Sequence, residues 1–200
     1  MVVAGLLFLA FAWLAVGQAA ANRNGAQTAA DAAALAAAQD TRDQLADAWV
    51  ENVRDPAVWQ RIFEGDAEGI VDSCWRASEL AAQNDAAVDG CHADGLLGYT
   101  VTVETNKTVG DSIVPGTESM KSTESASAVI EALCTFEPPV EGGGTEPPAE
   151  GGETEPPAEG AEDDELPQLT CEGGGTWTPD PEDPTGLPEP QDLFDVHLAD

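Results

Sequence analysis

The four cysteines are the residues whose chemistry is easiest to interpret. Cys74, Cys91, Cys134 and Cys171 are widely spaced and include no C-x-x-C pair, which argues against a zinc site and a thioredoxin-like redox pair. An even number of cysteines in a small exported domain is typical of disulfide bonds. Three connectivities are possible, and we predict Cys74–Cys91 and Cys134–Cys171 because each pair closes a local segment. The alternative is four buried thiols in a cytosolic protein.

Histidines and carboxylates offer little for metal binding. His92 and His197 are the two histidines, and neither has a second histidine three or four residues away. One acidic run, PDPEDPTG, contains Asp180, Glu182 and Asp183 but lacks the glycine and the distal glutamate of a calcium loop. We therefore expect no metal and no cofactor.

A serine nucleophile is the other chemistry to consider. Residues 110–113 read Gly-Asp-Ser-Ile, which resembles the nucleophile block of the GDSL, or SGNH, esterases. That family also needs an Asp-x-x-His near the C-terminus, whereas the Asp-Val-His ending at His197 is one residue shorter, and the Asn-Asp pair at 84–85 precedes the serine instead of following it. A serine without a positioned base gains little reactivity. We predict that Ser112 is a turn residue and that the protein is not an enzyme and has no small-molecule substrate.

The charge distribution argues against nucleic acid as a partner. The formal net charge is -31, and the chain has seven lysines and arginines. Binding to phosphates depends on such cations, which displace counterions. All seven lie between Arg23 and Lys121, and every later charged side chain is Asp or Glu. The excess negative charge therefore belongs mostly to the C-terminal part of the chain.

Residues 1–21 form an uncharged apolar segment, MVVAGLLFLAFAWLAVGQAAA. As a helix it would be about 32 Å long, which is enough to cross the core of a bilayer. We predict a transmembrane helix that anchors the chain in the cell membrane as a single span. The alternative is a cleaved signal peptide with Ala19-x-Ala21 as the cleavage site. If the cysteines are oxidised, the C-terminal body is extracytoplasmic.

Residues 22–54 are predicted to continue as an alanine-rich, then amphipathic, helix. Small residues recur at every fourth position and would let another helix approach closely: Gly17, Ala21, Gly25, Ala29, Ala33 and Ala37. The alternative is that this spacing has no packing role and reflects only the high helix propensity of alanine. Asn24-Gly25 suggests a break, with Asn24 as an N-cap. The later stripe of Leu45, Trp49 and Val53 is predicted to pack on the protein's own body, which leaves the alanine part for lipid headgroups or partner helices.

Residues 55–136 are predicted to form a small α+β body. PAVWQRIFEG and VDSCWRASELAAQN read as two helices, with Trp59, Phe63 and Trp75 as core residues. The segments 99–109 and 121–133 alternate in polarity, which predicts an antiparallel strand pair joined by the turn residues of GDSIVPG.

Residues 137–168 are predicted to be a disordered acidic spacer. GGGTEPPAE and GGETEPPAE are tandem copies without an aromatic residue, so the segment cannot bury itself. Residues 169–200 regain strand character, and a disulfide bond between Cys134 and Cys171 would return this C-terminal segment to the sheet.

The N-terminal run VVAGLLFLAFAWLAVGQAAANRNGAQTAADAAALAAAQD resembles the start of bacterial Flp/Tad pilus-assembly proteins of the TadE/TadG-like type. In that family an apolar span leads directly into such an alanine-rich helix. The resemblance implies a non-enzymatic, pseudopilin-like envelope protein whose helix inserts in membrane lipid and packs with other pilin-like or pilus-assembly proteins. The alternatives are a secreted acidic binding module, for example for calcium, and a GDSL-like hydrolase.

Overall fold

The computed structural model describes residues 2–108, 119–138, 166–173, 175–183 and 186–199. In these ranges the chain combines helices with antiparallel sheets, in agreement with the predicted α+β fold class. The helices are α1 (Val2–Glu51), α2 (Pro56–Phe63), α3 (Cys74–Gln83) and α4 (Pro190–Leu193). The strands are β1 (Ala86–Ala93), β2 (Gly98–Thr105), β3 (Thr123–Ala132), β4 (Cys134–Thr135), β5 (Leu169–Cys171), β6 (Thr176–Trp177) and β7 (Phe194–Leu198).

Helix α1 is continuous, so the break suggested at Asn24-Gly25 is wrong. A glycine inside a helix costs about 1 kcal/mol relative to alanine. The alanine-rich sequence after it and the packing of that part on the body offset this cost. The helix ends at Glu51, and α2 begins after Asp55, whose Oδ1 accepts a hydrogen bond from the Ala57 amide at 3.3 Å. Pro56 occupies the first turn of α2, where its missing N–H costs nothing.

The larger sheet has the strand order β1-β2-β3-β7. The predicted antiparallel pair is present as β2 and β3, with Val101 opposite Ala126. Along β2 the side chains of Tyr99, Val101 and Val103 are buried against the helices, while the alternate positions are partly exposed. On the exposed face, the hydroxyls of Thr102 and Ser125 lie 2.7 Å apart across the two strands. This alternation is typical of an antiparallel sheet with one face on the core.

Strand β1, which pairs with β2 at the edge of this sheet, was not predicted from the sequence. Its sequence, AAVDGCHA, is rich in residues that disfavour strands. The register also shifts between Val88 and Gly90, so the strict alternation that identifies a strand is interrupted.

Two disulfide bonds are present, as predicted, and they join Cys74 to Cys91 and Cys134 to Cys171. The first links α3 to β1. The second links β4 to β5, which pair in a small sheet with the order β4-β5-β6. The C-terminal segment does return to the larger sheet, because β7 pairs antiparallel with β3.

Two of the three aromatic residues assigned to the core are buried there, but Trp75 is not. Trp59 and Phe63 are buried on α2, whereas Trp75 is 57% exposed. On α3 the buried residues are Ala77 and Ala81, which lie one turn apart on the face toward α1 and the sheet. Trp75 precedes Ala77 by two positions, about 200° around the helix, so it points away from the core.

Some predictions concern residues that the structure does not describe. The turn at 110–116 and most of the spacer at 137–168 lie outside the described residues. The domain boundaries at 21, 54, 136 and 168 remain predictions.

Candidate assembly surface

The N-terminal part of α1 extends beyond the body and carries an apolar surface. Seven large hydrophobic side chains there are between 55% and 83% exposed: Val3, Leu6, Leu7, Phe8, Leu9, Phe11 and Trp13. Among the alanines of α1 whose side chains are described, Ala26 is the first that is fully buried. Contiguous apolar surface of this kind usually marks an interaction with protein or membrane. We call these seven side chains the apolar surface and take it as the candidate functional site.

The apolar surface falls in the segment for which the sequence predicts a transmembrane span at 1–21. Within the part of the chain that the structure describes, no helix has the length and apolarity required to traverse a membrane. Several side chains of this segment lie outside the description, among them Leu14, Val16 and Gln18.

The small residues at every fourth position from Gly17 to Ala37 form a small-residue ladder. Its first members are exposed, and its last members lie in the core. A Cβ added at Gly17 or Gly25 would meet no atom within 4 Å, and Ala21 is exposed. By contrast, Ala29, Ala33 and Ala37 are fully buried. They belong to one cluster with side chains of β2, β3 and α3. The expectation that these three alanines face a partner helix or lipid headgroups is therefore wrong.

These alanines are buried because α1 is one continuous helix. The face that carries its small residues runs from the exposed N-terminal part into the body. Alanine lets the helix axis approach the sheet closely, and the facing strand β3 also presents a small buried side chain, that of Ala128. The same property that would suit a partner helix suits the protein's own sheet. Gly17, Ala21 and Gly25 remain as candidates for lateral packing.

Enlarging a buried alanine should destabilise the body. We expect Ala33→Leu to lower the free energy of unfolding by about 1–3 kcal/mol, because the added carbons have no space between α1 and the sheet. Ala21→Leu is the matched control, since Ala21 is exposed and should change the free energy by less than about 0.5 kcal/mol. Urea unfolding of the full chain in mild detergent, followed by circular dichroism, measures both. Equal effects of the two variants would contradict the assignment of Ala33 to the core.

A buried polar network fixes α1 to the body further along. The hydroxyl oxygens of Thr41 and Ser73 lie 2.8 Å apart, and Thr41 Oγ1 lies 3.0 Å from the Tyr99 hydroxyl. Ser73 Oγ donates to Asp40 Oδ2 at 2.8 Å, and all three hydroxyl residues are buried. The predicted stripe of Leu45, Trp49 and Val53 is buried on the same helix. The direction in which the apolar surface leaves the body is set by these contacts.

This network was not predicted from the sequence. Thr41, Ser73 and Tyr99 come from α1, the segment before α3 and β2, so no local spacing connects them. The ion pair between Arg23 on α1 and Glu124 on β3, at 2.7 Å, was missed for the same reason. Single polar residues give no sequence signal of a long-range partner.

The structure adds little support for the other candidate catalytic or metal-binding residues. Ser112 lies outside the described residues, so its surroundings are not described. Asp195 Oδ2 and His197 Nδ1 lie 2.9 Å apart, with both side chains exposed on β7. Within the described ranges, no group of three or more His, Cys, Asp or Glu side chains is placed to hold a metal ion.

A family model matches the N-terminal part of the chain. Residues 1–40 match the sequence model of a family described as putative Flp pilus-assembly TadE/G-like. The match covers the apolar surface, the exposed part of the small-residue ladder and the first buried alanines. No curated protein and no solved structure matches the chain.

Proposed function

Because residues 1–40 are TadE/G-like in sequence, we propose that this chain is a pilus-assembly protein anchored in the cell membrane by its N-terminal helix. Residues 1–21 form the single transmembrane helix of the anchor, and the C-terminal body is extracytoplasmic. The protein acts by helix packing and not by catalysis. Its partners are membrane lipid and other pilin-like or pilus-assembly proteins.

The observation that carries the proposal is the apolar surface of α1. Large hydrophobic side chains are exposed around this part of the helix, from Val3 to Trp13, and the first charged side chain is that of Arg23. A helix that is apolar on all sides is stable only when it is surrounded by lipid or by other apolar helices. The position of the two disulfide bonds in the body supports an oxidising, extracytoplasmic environment.

A pseudopilin-like role adds lateral contacts to the anchor. Gly17, Ala21 and Gly25 are spaced by four residues on one exposed face of α1. Small residues at this spacing allow close approach between helices in membranes, where association depends on packing. The partner helix is therefore expected to contact α1 between the apolar surface and the body.

Membrane extraction tests the anchor. The full chain should remain in the pellet after carbonate extraction, and mass spectrometry should find the apolar segment in the mature protein. A soluble product that begins near Asn22 would overturn the anchor and favour a secreted acidic module after signal-peptide cleavage.

A charge placed in the apolar surface should weaken the anchor. Leu9→Arg puts a cation into the helix at a cost of about 2.5–3.5 kcal/mol if the site lies at the bilayer centre. We expect a measurable fraction of this variant to be released by carbonate. Leu96→Arg is the matched control, because Leu96 is similarly exposed on the turn between β1 and β2 and should leave retention unchanged.

A further inference from the structure

The two disulfide bonds differ in how deeply they are buried. Cys134 and Cys171 are 3% and 7% exposed and belong to the hydrophobic core cluster. Cys74 and Cys91 are partly exposed and pack against that cluster without being part of it. A thiolate must reach a disulfide sulfur before it can exchange with it. Access therefore favours reaction at the bond between Cys74 and Cys91.

The surroundings of this bond are also more open. It joins the first residue of α3 to β1, which is the outer strand of the described four-stranded sheet. The residues that follow the two cysteines, Trp75 and His92, are both exposed. The other bond joins β4 to β5, and β5 is the central strand of its own sheet. An external thiol can thus approach the Cys74–Cys91 bond from the edge of the fold.

The position of Cys74 suits a leaving thiolate. Helix α3 begins at Cys74 and has ten residues, and the N-terminus of a helix carries a partial positive charge that stabilises an anion. Cys91 lies on a strand, whose net dipole is small. Asp72 opposes the effect at Cys74, because its Oδ1 accepts a hydrogen bond from the Cys74 amide at 2.9 Å. Its side chain is exposed, so solvent and salt screen its charge.

We propose that the Cys74–Cys91 bond is a site of thiol–disulfide exchange with a dithiol reductant, such as the reactive cysteine pair of an oxidoreductase. A thiolate of the reductant attacks Cys91 Sγ, the bond between the two protein sulfurs breaks, and its electron pair goes to Cys74 Sγ. The second thiolate of the reductant then attacks the reductant's sulfur in the mixed disulfide and releases Cys91. The protein gains two electrons and two protons, and the reductant becomes a disulfide. This inference does not depend on the membrane anchor.

Opening this bond affects the contacts that hold α1 on the body. Ser73 directly precedes Cys74, its Oγ lies 2.8 Å from Thr41 Oγ1 on α1, and its amide donates to the Tyr99 hydroxyl at 3.2 Å. Reduction frees the start of α3 from β1, while the buried alanines of α3 keep the helix in the core. The reduced protein therefore keeps its fold but opens more readily around Ser73.

Timed reduction compares the two bonds within one molecule. The full chain in mild detergent is treated with dithiothreitol, and samples are alkylated with excess N-ethylmaleimide and digested for mass spectrometry. We expect Cys74 and Cys91 to be labelled about tenfold faster than Cys134 and Cys171, because the attacking thiolate reaches them without unfolding of the core. Equal rates, or faster labelling of the buried pair, would overturn the proposal.

A monothiol tests the direction of attack. A short pulse of 2-mercaptoethanol followed by N-ethylmaleimide should leave the mixed disulfide on Cys91 and the maleimide on Cys74, because Cys74 is the leaving sulfur. Mass spectrometry of the full chain after digestion locates both groups. A mixed disulfide found mainly on Cys74 would show that the attack occurs at the other sulfur.

Hydrogen exchange tests the effect on the joint with α1. After reduction of the Cys74–Cys91 bond alone, backbone amides of residues 71–76 should exchange several-fold faster. Amides of β3 are the internal control, because neither disulfide bond joins that strand, and should exchange at an unchanged rate. Unchanged exchange at residues 71–76 would refute the link to Ser73. Faster exchange throughout the described sheets would mean that reduction unfolds the body, which would overturn the proposal.

Discussion

Trp49→Ala should lower the free energy of unfolding by about 3–5 kcal/mol. Trp49 is fully buried on α1, and its ring centroid lies 5.3 Å from that of Trp59 on α2. Trp59 in turn contacts Phe136 at 5.2 Å, so the indole of Trp49 belongs to an aromatic cluster that joins α1, α2 and the chain after β4. Truncation leaves a large cavity that this rigid surrounding cannot fill.

Trp75→Ala is the control for the loss of an indole. Trp75 is 57% exposed on α3, and its ring contacts the Arg76 guanidinium at 5.9 Å. We expect this variant to cost less than about 1 kcal/mol. Guanidinium unfolding of the full chain in mild detergent, followed by far-ultraviolet circular dichroism, compares the two variants without relying on tryptophan fluorescence. Similar losses in both would contradict the difference in burial.

Removal of the disulfide bond between Cys134 and Cys171 should also have a large effect. The sequence separation of the pair is 37 residues, and the chain-entropy relation gives about 4 kcal/mol for a loop of this length at 25 °C. The double substitution Cys134→Ser with Cys171→Ser removes the covalent link between β4 and β5. Unfolding of the full chain under non-reducing conditions measures the change.

The second disulfide bond provides the comparison. Cys74 and Cys91 are separated by 17 residues, for which the same relation gives about 3 kcal/mol. Cys74→Ser with Cys91→Ser should therefore cost less than the Cys134 and Cys171 pair. In addition, β7 pairs with β3 at residues that neither disulfide bond joins, so we expect far-ultraviolet circular dichroism of both variants to remain native-like before the transition. A larger loss for the shorter loop would contradict the entropic account.

Tight packing of α1 on the sheet connects these predictions to the proposed function. A helix held by the Trp49 cluster, the Thr41 network and the buried alanines cannot tilt freely on its body. The orientation of the apolar surface relative to the body is then set by this packing. Mutations in the core far from the membrane are therefore expected to disturb how the body is presented to assembly partners.

The features that depend on neighbours along the chain could be predicted from the sequence. The apolar stretch before Arg23, the helical stripe of Leu45, Trp49 and Val53, and the alternation of Tyr99, Val101 and Val103 follow from periodicity, which local geometry imposes. The resemblance of the N-terminal residues to a pilus-assembly family was likewise visible in the sequence, and residues 1–40 match that family's model.

Which surfaces the helices and strands bury against one another became known only from the folded protein. The alanine face of α1 suits a partner helix and the protein's own sheet equally well, and the position of the sheet assigned Ala29, Ala33 and Ala37 to the core. Trp75 is exposed because Ala77 and Ala81 form the face of α3 that packs on the body. The ion pair between Arg23 and Glu124 depends on the direction of α1 along the sheet. Such long-range contacts arise from the combined packing of several elements, so no short stretch of sequence encodes them.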